Sequence, residues 1–135
     1  MSIVTVYAVF ADPAEAQRIG MTIIEERLAA CVNILGPCRS IYRWEGAIET
    51  ATETPALFKT TLDKADALIA RVTELHSYSV PAIVVWPIER LPTAYSDWVE
   101  HEMKGGLILP LRCCLPRCWR RPPNRRRQLL PTPRP

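Results

Sequence analysis

The chain has 135 residues, of which 48% are apolar and 23% charged, and its formal net charge is +3. This length suits one domain with a hydrophobic core, and the apolar fraction is typical of globular rather than disordered proteins. No apolar run reaches the length of about 18 residues that a membrane-spanning helix needs, and the first residues resemble a strand rather than a signal peptide. We therefore expect a cytoplasmic protein that does not bind a membrane.

The charged residues are divided unevenly along the chain. Residues 1–106 carry all 14 acidic and 9 of the 17 basic side chains, whereas residues 107–135 carry 8 Arg, 7 of the 13 Pro and no acid. We expect a domain at residues 1–104 and an Arg/Pro-rich, disordered tail at residues 105–135. The alternatives are phosphate binding by the arginines at 120–121 and 125–127, and out-of-frame translation of a GC-rich gene. Nucleic acid is not expected as a partner.

The five cysteines do not predict a disulfide framework or a zinc site. Cys31 and Cys38 are too few to cross-link the domain, and an odd total argues against a secreted disulfide-rich protein. The three tail cysteines have no His among them, and their spacing matches no zinc motif.

The first half of the chain predicts a strand, a helix and a long hairpin. Residues 3–10 form a β-branched and aromatic run that is typical of a strand covered on both faces. Asp12 and Pro13 mark a helix start, and the apolar spacing extends that helix to about Ala30. A strand follows at 31–35, and Gly36 with Pro37 interrupts it. It resumes at 40–44, turns at 45–46, and returns over 47–61.

The second half adds a helix, a strand and a further helix. Residues 63–75 have an apolar face at helical spacing, residues 82–86 are an entirely apolar strand, and residues 92–103 carry Tyr95, Trp98 and Val99 on one side of a helix. The order β-α-β-β-α-β with an additional C-terminal helix predicts an α+β, ferredoxin-like sandwich with a long hairpin between its second and third strands.

Five separate blocks also stand in order across residues 3–103: ERLAACVN at 26–33, SIYRWEG at 40–46, KT at 59–60, ELHSY at 74–78 with Pro81, and Tyr95 with Trp98. At this spacing they resemble the CutA family of small trimeric divalent ion tolerance proteins. The resemblance implies a ferredoxin-like subunit of a homotrimer whose hairpins pair between neighbours. It also implies a role in tolerance of copper and other divalent cations, through binding rather than a reaction.

The sequence departs from the family pattern at two positions. The family usually reads His-Pro-Tyr-x-x-Pro-Glu, whereas this chain has Ser77 in place of the proline and Ala82 in place of the acid. If that acid helps to hold a metal, we expect this chain to bind the metal more weakly than relatives that keep it.

The predicted metal ligands are His76, Glu45 and Asp12, which we expect at one end of the fold. Imidazole with carboxylates suits Cu²⁺ or Zn²⁺, and no organic cofactor is expected. The alternative for His76 is a cationic cap at the C-terminus of the second helix. Cys31 belongs at the opposite end of the sheet, where a cysteine is usually a small buried hydrophobe, so we expect it to be structural.

Further residues are predicted at the trimer interface or in the framework. Arg27 falls on the apolar face of the first helix, so it needs an acid of a neighbouring subunit or the last helix carbonyls. Tyr42 and Trp44 lie at the end of an arm that would be marginal alone, and docking on another chain would stabilise it. Tyr78 and Trp98 are expected to be structural.

No motif for catalysis is present. The sequence has no phosphate-binding glycine loop, no nucleophile with a His and an acid, and no HExxH. We therefore expect a homotrimeric divalent-cation (copper) binding protein rather than an enzyme. The alternative is a trimeric signalling or scaffold module that binds a small ligand in its intersubunit clefts.

Overall fold

A computed structural model of the chain describes residues 2–105. Its elements are β1 (Ile3–Phe10), α1 (Pro13–Glu25), β2 (Cys31–Ile34), β3 (Cys38–Trp44), β4 (Ala47–Thr61), α2 (Ala65–Leu75), β5 (Ile83–Pro87) and α3 (Thr93–Met103), with a 3₁₀ turn at Leu62–Lys64. Within these residues, every helix is too short or too polar to cross a membrane. The predicted tail lies, apart from Gly105, outside the described residues.

The strands form an antiparallel sheet in the order β2-β4-β1-β5, and β3 pairs with the other half of β4. Residues of α1 and α2 share one hydrophobic core with alternate residues of β1 and β4, so both helices lie on the same face of the sheet. This is the ferredoxin-like arrangement that the order of elements predicted, and the prediction is confirmed.

The core lies between the two helices and the inward face of the sheet. Phe10 and Phe58 are fully buried and meet edge to face, with ring centroids 6.5 Å apart. The other large side chains without exposed surface that complete this core are Val6, Ile23, Leu68 and Val72. Every second residue of the strands and every third or fourth residue of the helices therefore pack together in one apolar layer.

The start of α1 agrees with the sequence, but its end does not. Asp12 caps the helix by accepting the N–H of Glu15 at 2.8 Å, and Pro13 is the first helical residue. The helix ends at Glu25, five residues before the predicted end at Ala30. The prediction that Arg27 lies on its apolar face is therefore wrong.

A Schellman motif closes α1 at this point. The N–H of Leu28 donates to the carbonyl of Ile23, and the N–H of Arg27 donates to that of Ile24, both at 3.1 Å. Arg27 has the left-handed backbone that this motif requires, with φ at 56°. Its Nη1 donates to the carbonyl oxygen of Glu102 in the last turn of α3, at 3.2 Å. The partner of Arg27 in the described subunit is thus a carbonyl of α3, not one of the last carbonyls of the first helix, and the acid of a neighbouring subunit stays a prediction.

The hairpin of β3 and β4 forms as predicted. Trp44 pairs with Ala47, and the intervening Glu45 and Gly46 have φ of 48° and 81°, which is a two-residue turn of the type that matches strand twist. β4 continues without a break through Pro55. The carbonyl of Pro55 accepts the N–H of Leu35. Because the nitrogen and the carbonyl of a residue in an antiparallel strand face the same side, the nitrogen of Pro55 faces the gap between β2 and β3, where no strand requires an N–H donor.

The outward face of the sheet is only partly covered. α3 packs near one end, where Val99 and Met103 contact Ile3, and Tyr95 and Trp98 pack against this cluster. The apolar strand β5 is not covered on both faces, however: Val84 and Trp86 are 44% and 48% exposed. Both point away from α1 and α2, because each pairs with a β1 residue of the outward face. The described subunit therefore presents apolar surface to water.

Candidate functional site

His76 is the C-cap of α2, and its side chain has no exposed surface. Its Nε2 lies 2.7 Å from the carbonyl oxygen of Val9, and its Nδ1 accepts the N–H of Tyr78 at 3.0 Å. Because a carbonyl can only accept, Nε2 carries the proton, and the ring is neutral in this arrangement. The ring also stacks on Phe10, with centroids 5.2 Å apart. His76 occupies the predicted cap position, but it bonds β1 rather than the last carbonyls of α2.

Glu15 supplies a buried carboxylate beside this ring. It is 4% exposed, and its two oxygens accept the N–H and the hydroxyl of Ser77 at 2.9 and 2.8 Å. Its Oε1 also lies 3.5 Å from Nδ1 of His76. A proline at position 77 could donate neither bond. The departure from the family pattern at Ser77 thus supplies both of these donors to the Glu15 carboxylate.

Tyr78 connects this buried cluster to the hairpin. Its hydroxyl donates to Oε2 of Glu53 at 3.0 Å, and Glu53 pairs with Cys38 at the first residue of β3. Burial, followed by the hydrogen bond and charge of Glu53, raises the pKa of Tyr78 to about 12. The segment that follows α2 is therefore attached to α1 on one side and to the hairpin on the other.

The other predicted ligands do not join His76 within one chain. Asp12 uses Oδ1 to cap α1, and Glu45 is exposed in the hairpin turn. Six paired residues, or about 20 Å of strand, separate that turn from Glu53. The hairpin leaves the sheet at the end where His76 lies, as expected, but its Glu45 turn is too far out to share an ion with His76 of the same subunit. Across residues 2–105 there is no group of three His, Cys, Asp or Glu side chains that could hold a metal.

Cys31 lies far from His76, as predicted. It pairs with Lys59 on β4, whereas His76 bonds Val9, whose partner on β4 is Pro55. Cys31 is half-buried, and its sulfur lies 3.5 Å from the hydroxyl of Tyr95. Burial, followed by this contact, raises the pKa of Tyr95. Cys31 therefore connects β2 to α3 instead of joining the His76 cluster.

Sequence reasoning missed the partners that organise this site. Neither Glu15 nor Glu53 is among the site residues that the sequence predicts. Ser77 lies 62 residues from Glu15, and Tyr78 lies 25 residues from Glu53. No local pattern reports such contacts. The signal available was the pairing register, which places Glu53 at the base of the hairpin.

The predicted interface residues Tyr42 and Trp44 are exposed on the hairpin. Tyr42 lies beside Glu49, its pairing partner on β4, and partial burial together with this carboxylate raises the pKa of Tyr42. Nothing else within the described subunit encloses this end of the hairpin, as its uniformly exposed residues from 41 to 50 indicate.

Comparison with known proteins identifies the family. A family model described as CutA1 divalent ion tolerance protein matches residues 4–102. The divalent-cation tolerance protein CutA of Archaeoglobus fulgidus is 41% identical over 90 residues, which are 67% of this chain and 87% of that protein. The protein of the same name from Thermus thermophilus is 45% identical over 87 residues, which are 64% and 84% of the two chains.

Solved structures agree with the sequence matches. CutA1 from Oryza sativa superimposes with a TM-score of 0.75 at 32% identity, over 78% of this chain and 97% of that one. The structure of CutA from Archaeoglobus fulgidus, which is described as periplasmic, gives 0.73 at 38% identity, over 75% and 98%. Since the family model spans most of the described domain and the relatives match over nearly their whole length, the chain belongs to the CutA1 family of divalent ion tolerance proteins.

Proposed function

We propose that the chain functions as a homotrimer that binds divalent cations, with Cu²⁺ as the first ion to test, and contributes to divalent-cation tolerance without a reaction of its own. Relatives at 41% and 45% identity are named for divalent-cation tolerance, which supports this role for a member of the same family. The trimeric state is what the resemblance to the family implies, and the exposed apolar surface of the subunit supports self-association.

The observation that carries the assembly is the uncovered outward face of the sheet. Trp86 stacks on Tyr7 with ring centroids 5.0 Å apart, and Val84 extends this apolar surface along β5. The exposed hairpin side chains Tyr42 and Trp44 present further apolar surface along the arm. Exposed apolar surface of this kind usually marks an interface, and a second copy of the same chain could cover it.

The proposed metal site uses His76 of one subunit with carboxylates such as Asp12 and Glu45 of others. Nδ1 is the only nitrogen of His76 able to bind an ion without breaking the Val9 contact, so the ion would displace the N–H of Tyr78. Leaving that N–H unpaired costs about 1–3 kcal/mol. Together with Ala82 in place of the family acid, this cost predicts weak binding.

Sedimentation velocity on the full chain tests the assembly. We expect a single species of three times the chain mass at micromolar concentration. A folded monomer at that concentration would contradict the proposal.

Copper titration of the parent, His76→Ala and Cys31→Ser tests the site. We expect His76→Ala to lose binding and Cys31→Ser to retain it, since Cys31 lies at the other end of the sheet. The reverse result would refute the assignment. Binding of a small organic ligand with no Cu²⁺ uptake would instead favour the signalling or scaffold module.

A further inference from the structure

Glu15 and His76 bring two hydrogen-bond acceptors together in the interior. The unprotonated Nδ1 of His76 lies 3.5 Å from Oε1 of Glu15, and the two side chains are 0% and 5% exposed. Nδ1 accepts the N–H of Tyr78, and Oε1 accepts the N–H of Ser77. Because both atoms are acceptors, no hydrogen bond joins them. A cation between the two atoms would stabilise both.

The carboxylate of Glu15 is buried without a basic partner. Within residues 2–105, no Lys or Arg lies at ion-pair distance from it. An acid at the third position of a helix commonly turns back to the N-cap residue, but the side chain of Glu15 reaches Ser77 instead. The N-terminus of α1 and the two donors of Ser77 offset part of the cost of burying this charge. Buried charges in proteins are usually paired or coordinate a metal ion, so this carboxylate is a candidate metal ligand.

The imidazole of His76 is oriented as in metal sites. Its Nε2 donates to the carbonyl oxygen of Val9 at 2.7 Å, and the ring stacks on Phe10. Histidines that bind metals usually donate their second ring N–H to a backbone carbonyl or a carboxylate, which fixes the tautomer and the orientation of the ring. Nδ1 is therefore the nitrogen left for an ion, and it is the nitrogen beside Glu15.

The distance between the two atoms suits a tetrahedral ion. Zn²⁺ binds imidazole nitrogen and carboxylate oxygen at about 2.0–2.2 Å, so two such ligand atoms stand about 3.4 Å apart in tetrahedral geometry. The 3.5 Å between Nδ1 and Oε1 is close to this value. Square-planar Cu²⁺ places neighbouring ligand atoms about 2.8 Å apart, so the two packed side chains would have to approach each other by about 0.7 Å. The spacing therefore fits Zn²⁺ better than Cu²⁺.

We propose that Glu15 and His76 of one subunit form a chelating pair for Zn²⁺, with Oε1 and Nδ1 as the ligand atoms. This inference rests on the proposed cation-binding function and adds a ligand, Glu15, from the same subunit as His76. In the described part of the chain, no third His, Cys, Asp or Glu joins the pair. Water or carboxylates of other subunits complete the coordination.

Binding of the ion changes the contacts of Tyr78 more than those of Glu15. A carboxylate oxygen has two lone pairs, so Oε1 can keep the N–H of Ser77 while it binds Zn²⁺. Nδ1 has one lone pair and must release the N–H of Tyr78. Residues 77–80 are exposed, so this N–H can turn to water. The backbone amide of Tyr78 is therefore a local reporter of the site.

Zinc titration of the full chain tests the pair. Glu15→Gln keeps the shape of the side chain and an oxygen for the N–H of Ser77, but it removes the charged ligand. We expect this variant to bind Zn²⁺ more than about tenfold more weakly than the parent, measured by calorimetry. NMR spectra should show the amide signal of Tyr78 shifting with Zn²⁺ in the parent. The cysteines are the same in both proteins, so any zinc that they bind cancels in the comparison.

Two control variants separate a ligand from a structural role. Glu25→Gln makes the same change in charge at the exposed end of α1, and we expect it to bind Zn²⁺ like the parent. Ser77→Ala removes the hydroxyl bonded to Oε2 but keeps Oε1 and the backbone N–H, so we expect binding within about threefold of the parent. Weakening by Ser77→Ala as large as that by Glu15→Gln would show that the cluster acts only as a framework, and it would overturn the inference.

The remaining outcomes distinguish this pair from the proposed function. A Glu15→Gln variant that binds Zn²⁺ like the parent, or a Tyr78 amide that Zn²⁺ leaves unchanged in the parent, would refute the pair. The amide measurement needs no variant, so it decides the question even if Glu15→Gln does not fold. Copper binding that depends on His76 but not on Glu15 would refute only this inference. A parent that binds neither Zn²⁺ nor Cu²⁺ would refute the cation-binding function itself.

Discussion

Arg27 occupies a backbone position that glycine usually fills. Its φ of 56° costs an ordinary side chain about 1 kcal/mol, because the β-carbon crowds the neighbouring carbonyl. The arginine offsets this strain with a bond that glycine cannot make, from Nη1 to the carbonyl of Glu102 at 3.2 Å. That carbonyl lies in the last turn of α3, where it lacks a partner within its own helix. One side chain thus stabilises the ends of two helices.

Substitution of Arg27 separates the strain from the contact. Arg27→Ala loses the bond to Glu102 and keeps the strained backbone, so we expect the free energy of unfolding to fall by about 1–2 kcal/mol. Arg27→Gly loses the same bond but removes the strain, so we expect it to be more stable than the alanine variant by about 1 kcal/mol. Urea unfolding at one fixed protein concentration measures both. An alanine variant as stable as the glycine variant would show that the left-handed conformation carries no cost here.

The elements differ in how far the sequence predicts them. β1 and the turn at Glu45 are encoded locally, the strand by its run of β-branched and aromatic residues and the turn by its Glu-Gly pair. Both were predicted correctly. The end of α1 was not, because apolar spacing continues to Ala30 while backbone bonds to the carbonyls of Ile23 and Ile24 stop the helix earlier. A glycine at the left-handed position of a Schellman motif usually marks the helix end in a sequence. Here that position is Arg27, so the sequence gives no such mark.

The candidate site was predictable only in part. His76 stood out as a lone histidine after a helix, but its bonds to Val9 and its proximity to Glu15 join segments more than 60 residues apart. The exposed side of β5 was also missed, since an apolar strand reads the same whether its own subunit or a partner covers it.

Among the elements, the segment between α2 and β5 is joined to the hairpin by Tyr78. The raised pKa of this tyrosine predicts that the protein loses stability at alkaline pH. Its pKa rises from 10.0 to about 12 because burial and Glu53 favour the neutral hydroxyl. The stabilisation linked to this group is therefore complete below pH 10 and is lost as the pH rises through 12. Tyr78→Phe has no such group to ionise.

Melting temperatures of the parent and Tyr78→Phe from pH 8 to pH 12 check this prediction. We expect the parent to be more stable at pH 8 and the difference to shrink above about pH 10. Other tyrosines with raised pKa, such as Tyr7, ionise in both proteins and cancel in the comparison. A difference that stays constant over the whole range would contradict the assignment.

At the scale of the whole molecule, residues 1–104 and residues 105–135 differ in charge and composition. The tail combines 8 Arg and 7 Pro with no acid, which cannot supply a periodic apolar face for packing. We expect a chain ending at Lys104 to keep its melting temperature within about 2 °C and its oligomer size unchanged. Thermal unfolding and sedimentation of both chains measure this. A loss of several degrees would show that residues 107–111 pack on the domain.

β4 runs for 15 residues from the turn of the arm into the core, with no joint between the two. Pro55 stands where its two halves meet, and its fixed φ stiffens the strand at that point. A displacement of the tip of the arm is therefore transmitted to the inner half of β4, which lies between β1 and β2 in the sheet. The arm and the hydrophobic core thus move as parts of one continuous strand. A contact at the tip would therefore also restrain the strand on which α1 and α2 pack, and the rigidity of the core would then depend on what binds the arm.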